Sequence, residues 1–118
     1  VKGLNVAGAD HRRLMQSASD AYRAFLDGFE FNRPRFPVVS NTSAGSVQDP
    51  DAIKNALVRQ IVSPVRFEEC LRTARSDYSV DTFVECGVAK VIAGLVRRTD
   101  RDWSVISVAE ADDVPDTL

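Results

Sequence analysis

The sequence predicts an α/β fold built on a parallel three-layer sheet, and three observations predict it. Apolar runs of strand length alternate with longer stretches whose apolar residues recur at helical spacing. Two such runs, residues 80–86 and 103–108, flank a helical stripe. That is the order of a unit in which a helix carries the chain back to start a parallel neighbour strand. No internal repeat and no linker-like segment divides the 118 residues.

Taken in order, residues 1–7 read as a short strand with Leu4 and Val6 on one face, and Gly8 and Ala9 let the backbone turn. A helix is expected to begin just past His11. Its stripe is Leu14, Met15, Ala18, Tyr22, Phe25, Leu26 and Phe29, with Gly28 as the stop and Asp10 as a carboxylate cap. Pro34 and Pro37 keep the next segment extended or irregular, Val38-Val39-Ser40 reads as a short buried strand, and residues 42–46 as a loop. Asp49-Pro50 is a helix start, a capping carboxylate followed by proline at the first helical position, and Ile53, Ala56, Leu57 and Ile61 continue from it. Ser63-Pro64 opens another helix, with Phe67, Cys70, Leu71 and Ala74 on one face. After the strand at 80–86, Gly87 turns the chain into a helix carrying Val88, Val91, Ile92, Leu95 and Val96 and ending near Arg98. The strand at 103–108 precedes an acidic segment expected to be a mobile tail.

Size and a 44% hydrophobic content suit one globular domain burying roughly two thirds of its unfolded surface. A net charge of −2 sets up no field for nucleic acid. No apolar run approaches the roughly 20 residues that cross a bilayer, and no signal-peptide pattern is present. The expectation is a soluble, cytoplasmic protein without a membrane partner. Cys70 and Cys86 are too few for a disulfide framework and are expected to be small apolar core residues. One histidine and two distant cysteines make no metal site. The chain opens on Val1 inside what reads as a strand, so further sequence is expected upstream.

His11, the sole histidine, falls where a strand end meets a helix start, the rim on which α/β folds keep reacting groups. Imidazole titrates near neutrality and suits a general base there. Position alone leaves this open against an ordinary surface or packing histidine.

Several segments carry a resemblance that bears on the choice. Asn5-Val6-Ala7-Gly8-Ala9-Asp10-His11 followed by Leu14-Met15 resembles the Asn-Val-Ser-Gly-Ala-Phe-His-Ser-Pro-Leu-Met segment of malonyl-CoA:acyl carrier protein transacylases. Pro37-Val38-Val39-Ser40-Asn41, then Leu57-Val58-Arg59-Gln60-Ile61-Val62-Ser63-Pro64-Val65-Arg66-Phe67, then Asp81-Thr82-Phe83-Val84-Glu85-Cys86-Gly87, fall in that family's order and spacing. The match corresponds to the C-terminal part of the family's length. It implies the C-terminal part of a three-layer α/β/α acyltransferase domain, with the upstream nucleophile half and most of a ferredoxin-like subdomain absent. Residues 1–7 would be the last strand of that small subdomain, 8–110 part of the large domain, and 111–118 an acidic tail.

The implied activity moves a malonyl group from coenzyme A to acyl carrier protein through a serine acyl-enzyme, in fatty acid biosynthesis. Coenzyme A enters as a thioester substrate, and no resident cofactor or metal is implied. None of the serines here lies in the Gly-x-Ser-x-Gly elbow that exposes a nucleophile. The family carries that serine, its oxyanion donors and a malonate-binding arginine upstream of the matched region, so the missing N-terminal half of the same protein is an implied partner. The chain alone is expected to be inactive. Within the match, the resemblance implies His11 as base and Gln60 as the residue whose backbone carbonyl orients the imidazole. Without the resemblance, Gln60 is an exposed residue at a helix end.

Three departures bear on substrate. Asp10 replaces the usual Phe or Ser before the histidine, where a pocket-facing carboxylate would repel malonate. Gly87-Val88-Ala89-Lys90 stands for Gly-Pro-Gly-Lys, and Arg12-Arg13 for Ser-Pro. Arg12, Arg13, Arg97, Arg98 and Arg101 are candidates for contact with an acidic carrier protein or coenzyme A phosphates, beside the plainer reading of solvated arginines. Other readings are a polyketide synthase acyltransferase domain with another acyl group, a non-catalytic interaction module of the same fold, and a serine hydrolase on a related fold.

Overall fold

Asp49 and Pro50 show how local chemistry starts an element. The Asp49 carboxylate accepts a 3.0 Å hydrogen bond from the Ala52 N–H and Pro50 occupies the first helical position, as the sequence predicts. The structure, a computed structural model, describes residues 8–116, with side chains over 13–116. The strand expected at residues 1–7 lies outside the described residues. The chain divides into two units, Val1–Phe67 and Glu68–Leu118.

In the first unit, α1 spans Gly8–Leu26, β1 Val38–Val39, β2 Ser46–Val47 and α2 Pro50–Gln60. Helix α1 begins earlier than expected, which places Asp10 and His11 within its first turn. Its buried side is the seam Met15, Ser19, Tyr22 and Leu26, where Ser19 and Leu26 are buried. Leu14 and Phe25, expected on the apolar stripe, are 69% and 63% exposed. The antiparallel α2 covers only a narrow strip, so the flank of the stripe stays bare. Two side-chain bonds set this pairing: Ser19 Oγ donates to the Val58 carbonyl at 3.2 Å, and Arg23 to Asn55 Oδ1 at 3.0 Å. Strand β1 pairs antiparallel with β2, Val38 opposite Val47 and Val39 opposite Ser46. The sequence reading ends its loop at Ser46, assigns no strand to Ser46–Val47, and puts β1 in the interior. Two-residue strands carry too little periodicity to be read, and Val38 is exposed on this minimal hairpin.

In the second unit, α3 spans Phe67–Tyr78, β3 Thr82–Cys86, α4 Val91–Thr99 and β4 Ser104–Val108. Helix α3 starts later than Ser63-Pro64 because the Ser63 hydroxyl donates back to the Arg59 carbonyl, at 2.6 Å, and closes α2 instead of capping forward. Cys70 and Leu71 are buried, as expected. Strands β3 and β4 pair in parallel, from Thr82 opposite Ser104 to Cys86 opposite Val108, with α4 as the crossover. This is the α/β class and the parallel pairing that the sequence predicts. Val96, with no exposure, and Ala93 seat α4, while Phe83 and Trp103 meet with ring centroids 5.4 Å apart. The opposite face of β3, formed by Thr82, Val84 and Cys86, is exposed. Cys86 is therefore not the core residue expected, because nothing in its unit covers that face.

The acidic segment opens with order where a mobile tail was expected. Residues 111–113 form a single 3-10 turn, and Asp113 Oδ2 accepts 3.0 Å hydrogen bonds from the Ala109 and Glu110 N–H groups. The Glu110 bond, then the Ala109 bond, holds the Asp113 carboxyl below its ordinary value of 3.8.

Candidate active site

Gln60 is the last residue of α2 and is exposed, at the point where the helix runs out of backbone donors. A helical carbonyl ordinarily accepts from the N–H four residues on. For Gln60 that residue is Pro64, which has no N–H. The Gln60 carbonyl instead accepts a long 3.5 Å bond from the Ser63 N–H, while Val62 and Ile61 fold back onto Arg59 and Val58. An acceptor at a helix C-terminus also carries the negative end of the dipole. The group is therefore disposed to take a further donor, an imidazolium proton included.

Beside Gln60 lies a cavity of about 110 Å³, walled by Val38, Val39, Val47, Ile53, Ala56 and Leu57, with Ser40 and Asn41 at its polar side. The turn that joins β1 to β2 forms that side, and it is tied down. Thr42 Oγ1 donates to the Ala56 carbonyl at 3.1 Å, the Thr42 N–H donates to Ser40 Oγ at 3.1 Å, and the Ala44 N–H to the Ser40 carbonyl at 2.7 Å. Sequence reading saw only a polar loop here. The signal available to it was the Ser40-Asn41-Thr42 run, whose side chains bond readily to nearby backbone.

The antiparallel course of α1 and α2 brings the start of α1 and the end of α2 to the same end of the helix pair. His11 belongs to the first turn of α1, but its side chain lies outside the described residues, as do those of Asp10 and Arg12, and the expected bond to Gln60 with them. Arg13 is exposed, and in the second unit Arg97, Arg98 and Arg101 are exposed. Among the described residues no group of three His, Cys, Asp or Glu side chains converges to hold a metal.

Glu85 is the residue whose part the sequence reading missed. It is buried in β3, yet its Oε2 accepts from the Ile92 and Ala93 N–H groups at 2.6 and 3.1 Å, and Oε1 from Ser107 Oγ at 3.4 Å. It thus caps α4 from another element, while Lys90 at the cap position sits in the left-handed region and offers no side-chain bond. The N–H groups at this helix start, a position at which helices commonly bind anions, are filled by the chain's own carboxylate. A carboxylate inside an apolar strand, ahead of a helix with no local cap, was the available signal.

Comparison with known proteins follows the same residues. No family model matches the chain. The malonyl CoA-acyl carrier protein transacylase of Staphylococcus aureus is 34% identical over 114 residues, 97% of this chain and 37% of the relative. That of Bacillus subtilis is 36% identical over 115 residues, 98% of this chain and 35% of the relative. Among solved structures, an acyl-carrier-protein S-malonyltransferase from Burkholderia pseudomallei superposes with a TM-score of 0.75 at 40% identity, covering 83% of this chain and 32% of that one. A malonyl-transacylase solved in complex with its type II PKS acyl-carrier protein superposes with a TM-score of 0.75 at 35% identity, covering 85% of this chain and 32% of that one. The chain thus spans about a third of the length of the relatives it matches, consistent with their C-terminal part. In sequence and fold together, this chain matches the C-terminal part of the malonyl CoA-acyl carrier protein transacylases.

Proposed function

We propose that this chain supplies the general base and its orienting carbonyl to an enzyme that moves a malonyl group from coenzyme A to an acyl carrier protein, in fatty acid biosynthesis. What carries the reading is the match to transacylases along nearly the whole chain. The open Gln60 carbonyl supports it. The serine, absent here, comes from the part of the family's length this chain does not span. Its hydroxyl gives a proton to His11 as the oxygen attacks the malonyl thioester, and the coenzyme A sulfur leaves with that proton. The carrier's pantetheine thiol then yields its proton to His11 and attacks the acyl-serine, and the serine oxygen recovers the proton as it is released. Coenzyme A is substrate and product in this scheme, with no resident cofactor. The two free cysteines suit a reducing cytoplasm.

Gln60 acts through its backbone, holding the tautomer that points the other ring nitrogen at the serine. Helix spacing sets a condition on this. His11 precedes Ser19 by about 12 Å of helical rise, and Gln60 follows Val58 by about 3 Å, so along the pair the two are offset by about 9 Å. The contact therefore requires the complete enzyme to start α1 past His11, with Gly8 and Ala9 turning the chain. A structure of the complete enzyme with His11 still inside the helix would remove Gln60 from the site.

The test is His11→Ala in the complete enzyme. Malonyl transfer falls by roughly 10²- to 10⁴-fold with thermal melting unchanged. Gln60→Ala has far less effect, because its carbonyl survives the change. Near-normal turnover in His11→Ala overturns the base assignment.

A further inference from the structure

The Gln60 carbonyl and the Ile61 N–H belong to one planar peptide, so whatever holds the N–H also sets where the carbonyl points. The Ile61 N–H donates to the Val58 carbonyl at 3.3 Å, three residues back, the tighter closure common at a helix end. That same Val58 carbonyl accepts a second bond, 3.2 Å long, from Ser19 Oγ on α1. A serine in a helix interior ordinarily bonds the carbonyl of its own preceding turn or faces water. Here the hydroxyl is buried and crosses to the neighbouring helix instead. Hydrogen bonds therefore run unbroken from α1, the helix that carries His11, to the peptide that carries the Gln60 carbonyl. On its other side that peptide is held weakly, because the bond from the Ser63 N–H is 3.5 Å long and Pro64 has no N–H.

We propose that Ser19 is a positioning residue, whose buried hydroxyl fixes the Val58 carbonyl and through it the peptide that presents the Gln60 carbonyl to His11. The inference rests on the reading of His11 and Gln60 above. The other side-chain bond between the two helices, Arg23 to Asn55, is exposed and ends more than a helical turn before Gln60. It joins the helices without reaching that peptide. Errors of about 1 Å in the placing of a catalytic group cost up to about 10²-fold in rate, so a tie of this kind acts on turnover without touching substrate.

The experiment is steady-state malonyl transfer by the complete enzyme, with malonyl-CoA as the varied substrate. Ser19→Ala lowers kcat by roughly 10-fold and leaves KM within about twofold, while Ser19→Thr, which keeps the hydroxyl, recovers most of the loss. Arg23→Ala, which cuts the exposed bond, leaves kcat unchanged. An unchanged kcat in Ser19→Ala, a raised KM with kcat intact, or an equal fall in Arg23→Ala overturns the proposal. If Ser19→Ala does not accumulate as folded protein, Ser19→Cys decides, since the thiol is a weaker donor at the same place. A fall in kcat at constant KM then supports the tie, and unchanged kcat overturns it. His11→Ala in parallel separates the two readings. If it abolishes transfer while the Ser19 variants are silent, only the tie fails; if it is silent itself, the underlying site is wrong.

Discussion

Glu85 shows how much one side chain can organise. Its carboxylate joins three elements, accepting from two N–H groups at the start of α4 and from Ser107 on β4 while its backbone sits in β3. Truncation leaves buried donors without an acceptor, which costs more than the hydrogen bonds are worth net. Glu85→Ala is expected to lower stability by about 2 kcal/mol, and Glu85→Gln, which keeps an acceptor oxygen, by about half as much. The check is the shift in denaturant midpoint of the complete enzyme carrying each change. Equal effects would mean that the charge, not the acceptor, matters. The sequence shows a carboxylate inside an apolar strand ahead of an uncapped helix, but not that the two pair, since the donors lie seven and eight positions away on a different element.

At the scale of elements, starts and stops were legible wherever the capping chemistry is local. Asp49-Pro50 starts α2, and Gly28 follows closely on the end of α1, where its N–H bonds to the Phe25 carbonyl. Asp49→Ala is expected to cost about 1 kcal/mol, read as a lower melting temperature without loss of the α2–α1 contact between Ser19 and Val58. Starts went astray where the decisive partner comes from elsewhere. Ser63 spends its hydroxyl on α2, and Glu85 delays α4 until after Lys90, leaving Val88 81% exposed and outside the helix expected to include it. In α1 a polar residue, Ser19, takes the buried seam that the pattern assigned to apolar neighbours, because its hydroxyl finds the Val58 carbonyl.

On the whole-molecule scale, a two-stranded parallel sheet with one exposed face is unusual, since parallel strands are ordinarily covered on both sides. Val84 is 45% exposed in the middle of β3, and within the other unit Phe25 and Phe29 stand exposed with ring centroids 4.9 Å apart. The relatives are about three times as long as this chain. These surfaces suit coverage by the remainder of such an enzyme. The 118-residue chain alone is therefore expected to melt broadly and to show no malonyl transfer from coenzyme A to carrier protein. Circular dichroism and a transfer assay check this. A sharp cooperative transition of the monomer argues against the first expectation, and turnover above background against the second.

The sequence by itself determined the α/β class, the parallel pairing implied by a strand–helix–strand order, the match to transacylases, and the candidacy of His11 and Gln60. Each depends on patterns within a few residues or on segments whose order is preserved. Only the tertiary structure decided that Gln60 ends its helix with a carbonyl short of partners, that the Ser40–Gly45 turn is tied to α2, and that Glu85 caps α4. The division has a physical cause. Periodicity and capping are written in neighbouring residues, whereas a hydrogen bond between elements depends on where folding brings two distant groups together, and the chain order alone does not carry that distance.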